Sequence, residues 1–292
     1  MVLACTVWGL SPLYYALLKD VPSIEVLCYR AIWSCVLFGV ILSVQRRLPL
    51  VWDALRCPRQ LWVIVLAAVM ISANWFGFIY AVSVGQGIDA SLGYYIYPLV
   101  AVLIGWFVYA ERLHRLQWFA ILLAAIAVLI LTLGLGVTPY LALWLAITFA
   151  IYGMAKRRLA VGPVVSVTAE VVVLLPLATV YLGVFGTQGD APLAHHALMA
   201  LSGPLTAIPL ILFSYAARRV RMSSIGLTQF LNPTLQFSVA VFIFAEPFTK
   251  WHKISFPLIW CAVILYCIAQ LRQDKASRKS ASSAVTVSTT VT

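Results

Sequence analysis

Charge of either sign is scarce in this sequence, and acidic residues are the scarcest. Lys, Arg, Asp and Glu make up 10% of the 292 residues, and Asp and Glu together number nine. Hydrophobic residues make up 63% and the mean hydropathy is +0.99, which is more apolar side chain than a soluble core of this length can enclose. The composition therefore excludes a soluble globular domain and predicts an integral membrane protein.

The strict alternation of polar and apolar residues that marks a β-barrel strand is also missing. Apolar runs of about 18 to 25 residues recur along the chain instead, and a run of that length crosses about 30 Å of hydrocarbon as a helix. The sequence therefore predicts an all-α integral membrane fold.

The motifs of common enzymes are absent as well. The chain has no phosphate-binding glycine loop, no GxSxG, no HExxH and no Cys/His set at metal-ligand spacing. Its six cysteines form no CxxC pair and mostly lie inside apolar runs, so we interpret them as reduced packing residues. We therefore expect no catalytic residues, no cofactor and no metal.

The N-terminus does not resemble a cleavable signal peptide. The first apolar segment lacks a basic region before it and an A-x-A cleavage site, and it continues into Lys19 and Asp20. We interpret this segment as the first membrane span.

Hydropathy predicts ten membrane-spanning helices in the chain. They lie at residues 1–18, 23–44, 60–84, 88–110, 114–134, 139–156, 164–184, 195–217, 222–244 and 254–271. The remaining stretch, 272–292, is rich in Ser, Thr and Lys and has too little apolar surface to pack, so we expect a disordered tail.

The basic residues support this segmentation, because most of them fall in alternate loops. Sixteen of the 20 Lys and Arg residues lie on one side of the predicted membrane: Arg46, Arg47, Arg56, Arg59, Arg112, Arg115, Lys156, Arg157, Arg158, Arg218, Arg219, Arg221, Arg272, Lys275, Arg278 and Lys279. Lys19, Lys250 and Lys253 lie on the other side, and Arg30 lies within a span. Short basic loops stay in the cytoplasm, so both termini are predicted to be cytoplasmic. This placement accounts for the net charge of +11 without a nucleic-acid partner.

An internal repeat relates the two halves of the chain. Three sets of residues match at one offset of 135 positions: Pro98 with Pro233, Glu111 with Glu246, and Tyr80 and Ala81 with Tyr215 and Ala216. Ten spans then divide into two five-helix repeats, 1–134 and 139–271. Because five is odd, the second repeat enters the membrane from the opposite face, which gives the inverted topology of many secondary transporters.

The two matched prolines mark a candidate substrate cavity. Each lies near the middle of a span, where proline removes a backbone hydrogen bond, and a helix broken in the membrane must face protein or water. The alternative is an ordinary pair of kinks. Polar and aromatic residues near Pro98 and Pro233 are candidate lining residues: Asn74, Trp75 and Tyr80 on the third helix, Ser91, Tyr94 and Tyr95 on the fourth, and Gln229, Asn232 and Gln236 on one stripe of the ninth.

Arg30 is the one basic residue deep within a predicted span. It therefore needs a partner, and Glu170 is the one carboxylate at a comparable depth. The predicted topology leaves roughly 10 Å of depth between them, which a water or a zwitterionic substrate would bridge. Arg30 is then either a substrate carboxylate clamp or proton relay, or a structural anchor held by Tyr hydroxyls and helix-end carbonyls. Glu25 is expected to be solvated near the surface.

Several segments resemble the RarD proteins of the EamA branch of the drug/metabolite transporter superfamily. They are WGLSPLYY (8–15), EVLCYRAIWS (25–34), NWFGFIYAV (74–82), ASLGYYIYPLV (90–100), AER (110–112) and LQW (116–118). The resemblance implies ten helices in two inverted repeats, and export of small metabolites or drugs at a bacterial inner membrane. The superfamily includes exporters of aromatic amino acids, and the RarD name derives from an association with chloramphenicol sensitivity. Motif positions of the family are occupied by Arg30, Asn74, Trp75, Tyr95, Pro98 and Glu111.

These observations predict a secondary transporter embedded in the lipid bilayer. It would export a small amphipathic molecule, either an amino acid or an amphenicol-like drug, driven by proton exchange or by the substrate's own gradient. The competing class is a membrane protein that does not transport, either a helical scaffold or a lipid-modifying enzyme.

Overall fold

A computed structural model describes the backbone of residues 1–109, 113–136, 139–187, 193–217 and 228–289. Glu111 and the start of the ninth predicted helix lie outside these residues. The described residues form eleven α-helices, one π-helical turn and no strand. The helices are α1 Val2–Ala16, α2 Ser23–Val44, α3 Leu48–Arg56, α4 Pro58–Ser83, α5 Gly87–Tyr109, α6 Arg115–Leu135, α7 Tyr140–Arg157, α8 Pro163–Phe185, α9 Leu193–Ala217, α10 Leu231–Ser238 and α11 Lys250–Thr289, with the π turn at Val239–Ile243.

Seven of the described helices are long and apolar enough to cross a membrane: α2, α4, α5, α6, α8, α9 and α11. Helices α1 and α10 are apolar but shorter, and α7 ends on two basic residues, Lys156 and Arg157. Several apolar crossings make the chain a multi-pass helical membrane protein. The full number of ten crossings stays a prediction.

Helix α3 lies where the sequence analysis expected only a basic loop. Its residues Val51 and Ala54, three apart on one helical face, are buried against Ile64. Leu50 and Trp52 on the other side are exposed. A short helix with one face packed on protein and an exposed tryptophan is typical of the membrane–water interface.

The last helix extends beyond its predicted end at residue 271. Its apolar part, Lys250–Gln273, stops close to that boundary, but the helical backbone continues to Thr289. The disordered tail expected at 272–292 stays a prediction. Ala and Lys are good helix formers, and a Ser- and Lys-rich segment can therefore continue a helix without an apolar face to bury.

Close helix pairs join the first and second halves of the chain. Helix α5 packs on α7, α6 on α11, α2 on α8 and α9, α4 on α7 and α8, and α1 on α9 and α10. Glycine permits the tightest of these approaches. A Cβ on Gly93 of α5 would lie 2.7 Å from the Ala142 carbonyl oxygen of α7, and one on Gly9 of α1 would lie 2.6 Å from the Leu235 Cβ of α10.

The two matched prolines differ in their effect on the helix backbone. Helix α5 stays helical through Pro98, so the fourth span has no unwound backbone at that point. Helix α10 begins at Leu231, two residues before Pro233, and passes into the π turn after Ser238. A proline can be accommodated by a bend alone, which explains how α5 keeps its helical form.

Candidate functional site

Arg30 lies in α2 among aromatic side chains of α1 and α4. It is 7% exposed, and its Nη1 donates a hydrogen bond to the hydroxyl of Tyr15. Its guanidinium carbon lies 4.1 Å from the ring centre of Trp75 and 5.8 Å from that of Tyr15. Both rings therefore stabilise the cation by cation–π interaction. The sequence predicts Trp75 as a lining residue and tyrosine hydroxyls near Arg30, but no pattern in it singles out Tyr15.

The hydrogen bonding of Arg30 is incomplete. Its Nε has no acceptor. The buried hydroxyl of Ser34, one turn further along α2, has no hydrogen-bond partner either. Within the described part of the chain no carboxylate lies within ion-pair distance of Arg30. Buried polar atoms almost always have a partner in native proteins, so the Nε of Arg30 and the Ser34 hydroxyl are unusual in having none.

Asn74 links three helices. Its amide nitrogen donates to the Leu145 carbonyl oxygen at 2.9 Å and to the Thr148 hydroxyl at 3.2 Å, both on α7. Its amide oxygen accepts from the Tyr94 hydroxyl of α5 at 3.0 Å. Asn74 is 1% exposed and uses both ends of its side chain in these contacts. The predicted lining residues Asn74 and Tyr94 are therefore brought together, as a joint between α4, α5 and α7.

A row of aromatic rings leads from Arg30 toward Glu170. Tyr15 contacts Phe78 with 5.8 Å between ring centres, and Phe78, Tyr94, Phe149 and Tyr152 follow in turn at 5.9 Å each. Most of these contacts are edge-to-face, the favoured geometry for aromatic pairs. Of this row, only Tyr94 is among the lining residues predicted from the sequence; phenylalanine in a hydrophobic span carries no distinguishing pattern.

Glu170 on α8 belongs to a polar cluster with α7. Its carboxylate lies 2.7 Å from Nζ of Lys156 and accepts hydrogen bonds from Ser166 at 2.9 Å and from Tyr152 at 3.2 Å. Lys156 also donates to the Ser166 hydroxyl. The partner of Glu170 is thus Lys156 rather than Arg30. Lys156 was predicted only as one of the basic residues on the cytoplasmic side, although the short α7–α8 connection already places both residues near one end of the bundle.

The predicted polar stripe of the ninth helix is partly assembled. Nε2 of Gln236 donates to Oδ1 of Asn232 at 3.1 Å, and the Oε1 of Gln236 is buried without a partner. Gln229 lies before α10 and is half-buried, whereas Pro233 is buried. The stripe therefore presents one unsatisfied acceptor, at Gln236.

Tyr95 faces a different neighbour from Tyr94. Its hydroxyl shares a 2.8 Å hydrogen bond with the Thr234 hydroxyl of α10, and its ring makes edge contacts with Phe256 and Trp260 of α11. Adjacent residues on a helix point about 100° apart, which explains the difference. Tyr95 thus joins the second half of the molecule, where the sequence analysis expected cavity lining.

Two predicted lining residues lie apart from Arg30. The Ser91 hydroxyl is fully buried and donates to the Ile88 carbonyl oxygen within α5. Tyr80 is 37% exposed and lines a surface groove of about 470 Å³ together with Lys19, Asp20 and Phe76. The structure therefore places Tyr80 at the end of α4, beside the α1–α2 connection.

The two best-formed cavities among the described residues are surface grooves. The larger, of about 630 Å³, lies between α2 and α8, and the other is the Tyr80 groove. Neither is lined by Pro98, Pro233 or Arg30, so the predicted central cavity stays a prediction. No group of three or more His, Cys, Asp or Glu side chains suited to a metal occurs in the described part of the chain.

Two further carboxylates bind backbone at the ends of segments. Glu246 accepts the N–H groups of Gly87 and Ile88, each at 2.8 Å, and so neutralises the start of α5. Glu25 is fully buried and accepts the Thr187 N–H at 3.1 Å and its hydroxyl at 2.8 Å. The expectation that Glu25 is solvated was therefore wrong, because the segment after α8 folds over it.

The helices and the buried charges define a polytopic α-helical membrane protein with ionisable groups inside its bundle. The model of the EamA-like transporter family matches residues 1–133. Protein RarD of Streptomyces exfoliatus is 40% identical over 276 residues, which cover 93% of this chain and 88% of that protein. An uncharacterized transporter of Vibrio cholerae serotype O1 is 35% identical over 282 residues, which cover 95% and 93% of the two chains. The chain belongs to the EamA-like transporter family and is related to the RarD proteins, as the sequence resemblance predicted.

A protein of known crystal structure has a similar fold. The two chains superpose with a TM-score of 0.60 and 20% sequence identity, over 90% of this chain and 93% of the other. At this identity the likeness concerns the fold alone.

Proposed function

We propose that this protein is a secondary transporter that exports a small amphipathic metabolite or drug from a bacterial cell by alternating access. Two inverted five-helix halves would move against each other in the inner membrane, around a site on the face of α2 that carries Arg30. Membership of a transporter family supports the general class. The substrate, the direction of transport and the mechanism are the proposed part.

The pairing of the helices supports two structurally related halves. If α1, α2, α4, α5 and α6 are exchanged with α7, α8, α9, α10 and α11, the contact α1–α9 becomes α7–α4. In the same way α1–α10 becomes α7–α5, and α2–α9 becomes α8–α4. All of these contacts are present, and the pairs α2–α8, α5–α10 and α6–α11 map onto themselves. A two-fold axis between two repeats would produce this exchange of contacts, which supports the proposed halves.

The observation that carries the proposed site is the unfinished hydrogen bonding of Arg30. A guanidinium that is buried among spans is costly unless it is paired, and its Nε and the Ser34 hydroxyl both lack partners. A carboxylate matches the donors of a guanidinium in geometry and charge. The Trp75 and Tyr15 rings beside it suit an apolar or aromatic portion of the same ligand. An amphipathic anion or zwitterion, such as an amino acid, fits this arrangement.

The test is flux in proteoliposomes that contain the purified protein. A panel of amino acids and amphenicols is offered with and without an imposed pH gradient, which separates proton exchange from movement down the substrate's own gradient. We expect gradient-dependent flux of at least one compound. Arg30→Ala should reduce this flux strongly, whereas Lys19→Ala, which removes an exposed lysine, should leave it unchanged.

The outcomes separate the proposal from its alternatives. Flux that Arg30→Ala leaves unchanged would remove Arg30 from the site while keeping the transporter. No flux of any compound, from protein that remains folded in the bilayer, would instead favour a helical scaffold or a lipid-modifying enzyme.

A further inference from the structure

The larger surface groove lies between α2 and α8 and is strongly apolar. Ile32, Val36, Val40, Leu175 and Thr179 line its walls, and Gly39 leaves its floor open. A Cβ added to Gly39 would meet no atom within 4 Å. Val36 and Val40 are more than half exposed, so the groove opens outward from the bundle, where lipid surrounds a membrane protein.

Two arginines stand at one end of this groove. Ser43 and Val44 are its last lining residues on α2, and α2 then closes in a Schellman turn. Arg46 has a positive φ of 55° and its N–H donates to the Ser43 carbonyl oxygen at 3.0 Å, while the Arg47 N–H reaches the Leu42 carbonyl oxygen at 2.8 Å. The turn fixes the backbone of both arginines immediately beyond the groove, and both residues are exposed.

Helix α3 marks the depth of these arginines in the membrane. It begins directly after Arg47 and exposes Trp52 and Leu50 while burying its opposite face. Exposed tryptophan on an amphipathic helix is characteristic of the level of the lipid headgroups. The groove therefore runs in the hydrocarbon region and ends, at Arg46 and Arg47, where lipid phosphates lie.

We propose that this groove is a binding site for an anionic phospholipid, with one acyl chain along α2 and α8 and the headgroup on Arg46 and Arg47. An apolar channel that ends in two cations complements the two ends of such a lipid in polarity and charge. Arginine binds phosphate oxygens in a forked geometry, and basic pockets between membrane helices are known to select anionic headgroups. The bound lipid would bridge one helix from each half of the chain.

The experiment measures lipid binding to the full-length protein in detergent. Native mass spectrometry counts the lipids retained when the protein is titrated with phosphatidylglycerol or with phosphatidylcholine of the same acyl chains. We expect phosphatidylglycerol to bind more tightly. The double variant Arg46→Gln/Arg47→Gln should weaken phosphatidylglycerol binding by roughly tenfold and leave phosphatidylcholine binding almost unchanged.

Two further variants distinguish a built site from general attraction to positive charge. Arg56→Gln/Arg59→Gln removes the same charge from exposed positions at the end of α3 and the start of α4 and should have little effect. Gly39→Leu fills the groove and should reduce the retention of both lipids; replacing glycine inside a helix favours the helix, so this variant is expected to fold.

Equal losses in the two double-arginine variants would overturn the proposal, since they would indicate non-specific attraction. Unchanged retention in Gly39→Leu would overturn it as well. A two-chain mass together with a Cys35–Cys35 cross-link would show that a second copy covers the groove, and this too would exclude the lipid.

Discussion

Arg30, which is buried, and Lys156, which is partly buried, are accommodated by different means. Lys156 has a carboxylate partner in Glu170, whereas Arg30 has aromatic faces and one tyrosine hydroxyl. A lysine ammonium is a compact point charge that favours an ion pair, while a planar guanidinium can stack on rings. Lys156 is therefore paired within the protein, whereas the Nε of Arg30 has no acceptor.

The Glu170–Lys156 pair predicts a stability effect. Glu170→Gln should lower the free energy of unfolding by about 3 kcal/mol, because breaking a buried pair leaves the other charge uncompensated. Thermal unfolding in detergent measures the change. The double variant Glu170→Gln/Lys156→Met should recover most of the loss, and a single variant as stable as the parent protein would contradict the assignment.

The joint at Asn74 predicts a coupled effect with Tyr94. Asn74→Leu should cost about 1–3 kcal/mol, because it leaves the Tyr94 hydroxyl without its acceptor. Tyr94→Phe keeps the ring contacts and removes the same hydrogen bond. In a double-mutant cycle of unfolding midpoints, the double variant should lose less than the sum of the single losses. Strict additivity would show that the two side chains do not interact.

At this scale the sequence predicted which residues are unusual but not their partners. Arg30 and Glu170 stand out because charge within an apolar span is rare. Their partners depend on how the spans pack against each other, and the residues next to Arg30 and Glu170 in the sequence do not show this. Lys156 carried a signal only through the shortness of the α7–α8 connection, and Phe78 and Phe149 carried none.

The positions of individual helices along the chain were predicted more completely than the contacts between helices. The bounds of α2, Ser23–Val44, agree with the predicted 23–44, because the apolar run ends there and charged residues flank it on both sides. Helix α3 was missed, since nine residues with two buried positions give too short a pattern. The π turn after Ser238 was missed as well. It depends on a bond from the Phe244 N–H to the Val239 carbonyl oxygen at 3.0 Å, and no residue type announces such a bond.

The start of α5 predicts a role for Glu246 in holding this helix. Glu246→Gln removes a negative charge from two helix N–H groups and should lower stability by about 1 kcal/mol. Hydrogen exchange should accelerate at the amides of Gly87 and Ile88, while amides in the middle of α4 serve as the internal control. Unchanged exchange at Gly87 and Ile88 would show that the carboxylate is not needed there.

At the scale of the whole molecule, the two halves of the chain are alike in helix pairing but not in the positions of their charged residues. The contacts between helices largely survive exchange of the halves, but the polar groups do not. Positions 135 residues before Lys156 and Glu170 are Val21 and Cys35, neither of which can form an ion pair. If the two halves are repeats, the repeat concerns the helix scaffold and not the charged groups: one half carries the Lys156–Glu170 pair and the other carries Arg30.

The inverted arrangement makes a prediction about two equivalent connections. Asp20, between α1 and α2, and Ala160, between α7 and α8, are exposed and occupy corresponding places in the two repeats. In inverted halves these connections lie on opposite faces of the membrane, and the basic residues beside Ala160 predict that it faces the cytoplasm. In a cysteine-free background, Asp20→Cys should react with a membrane-impermeant maleimide on intact cells, whereas Ala160→Cys should react only after permeabilisation.

The background without an introduced cysteine controls for stray labelling. Equal labelling of both variants on intact cells would mean that the repeats share one orientation, and the alternating-access proposal would then lose its structural basis.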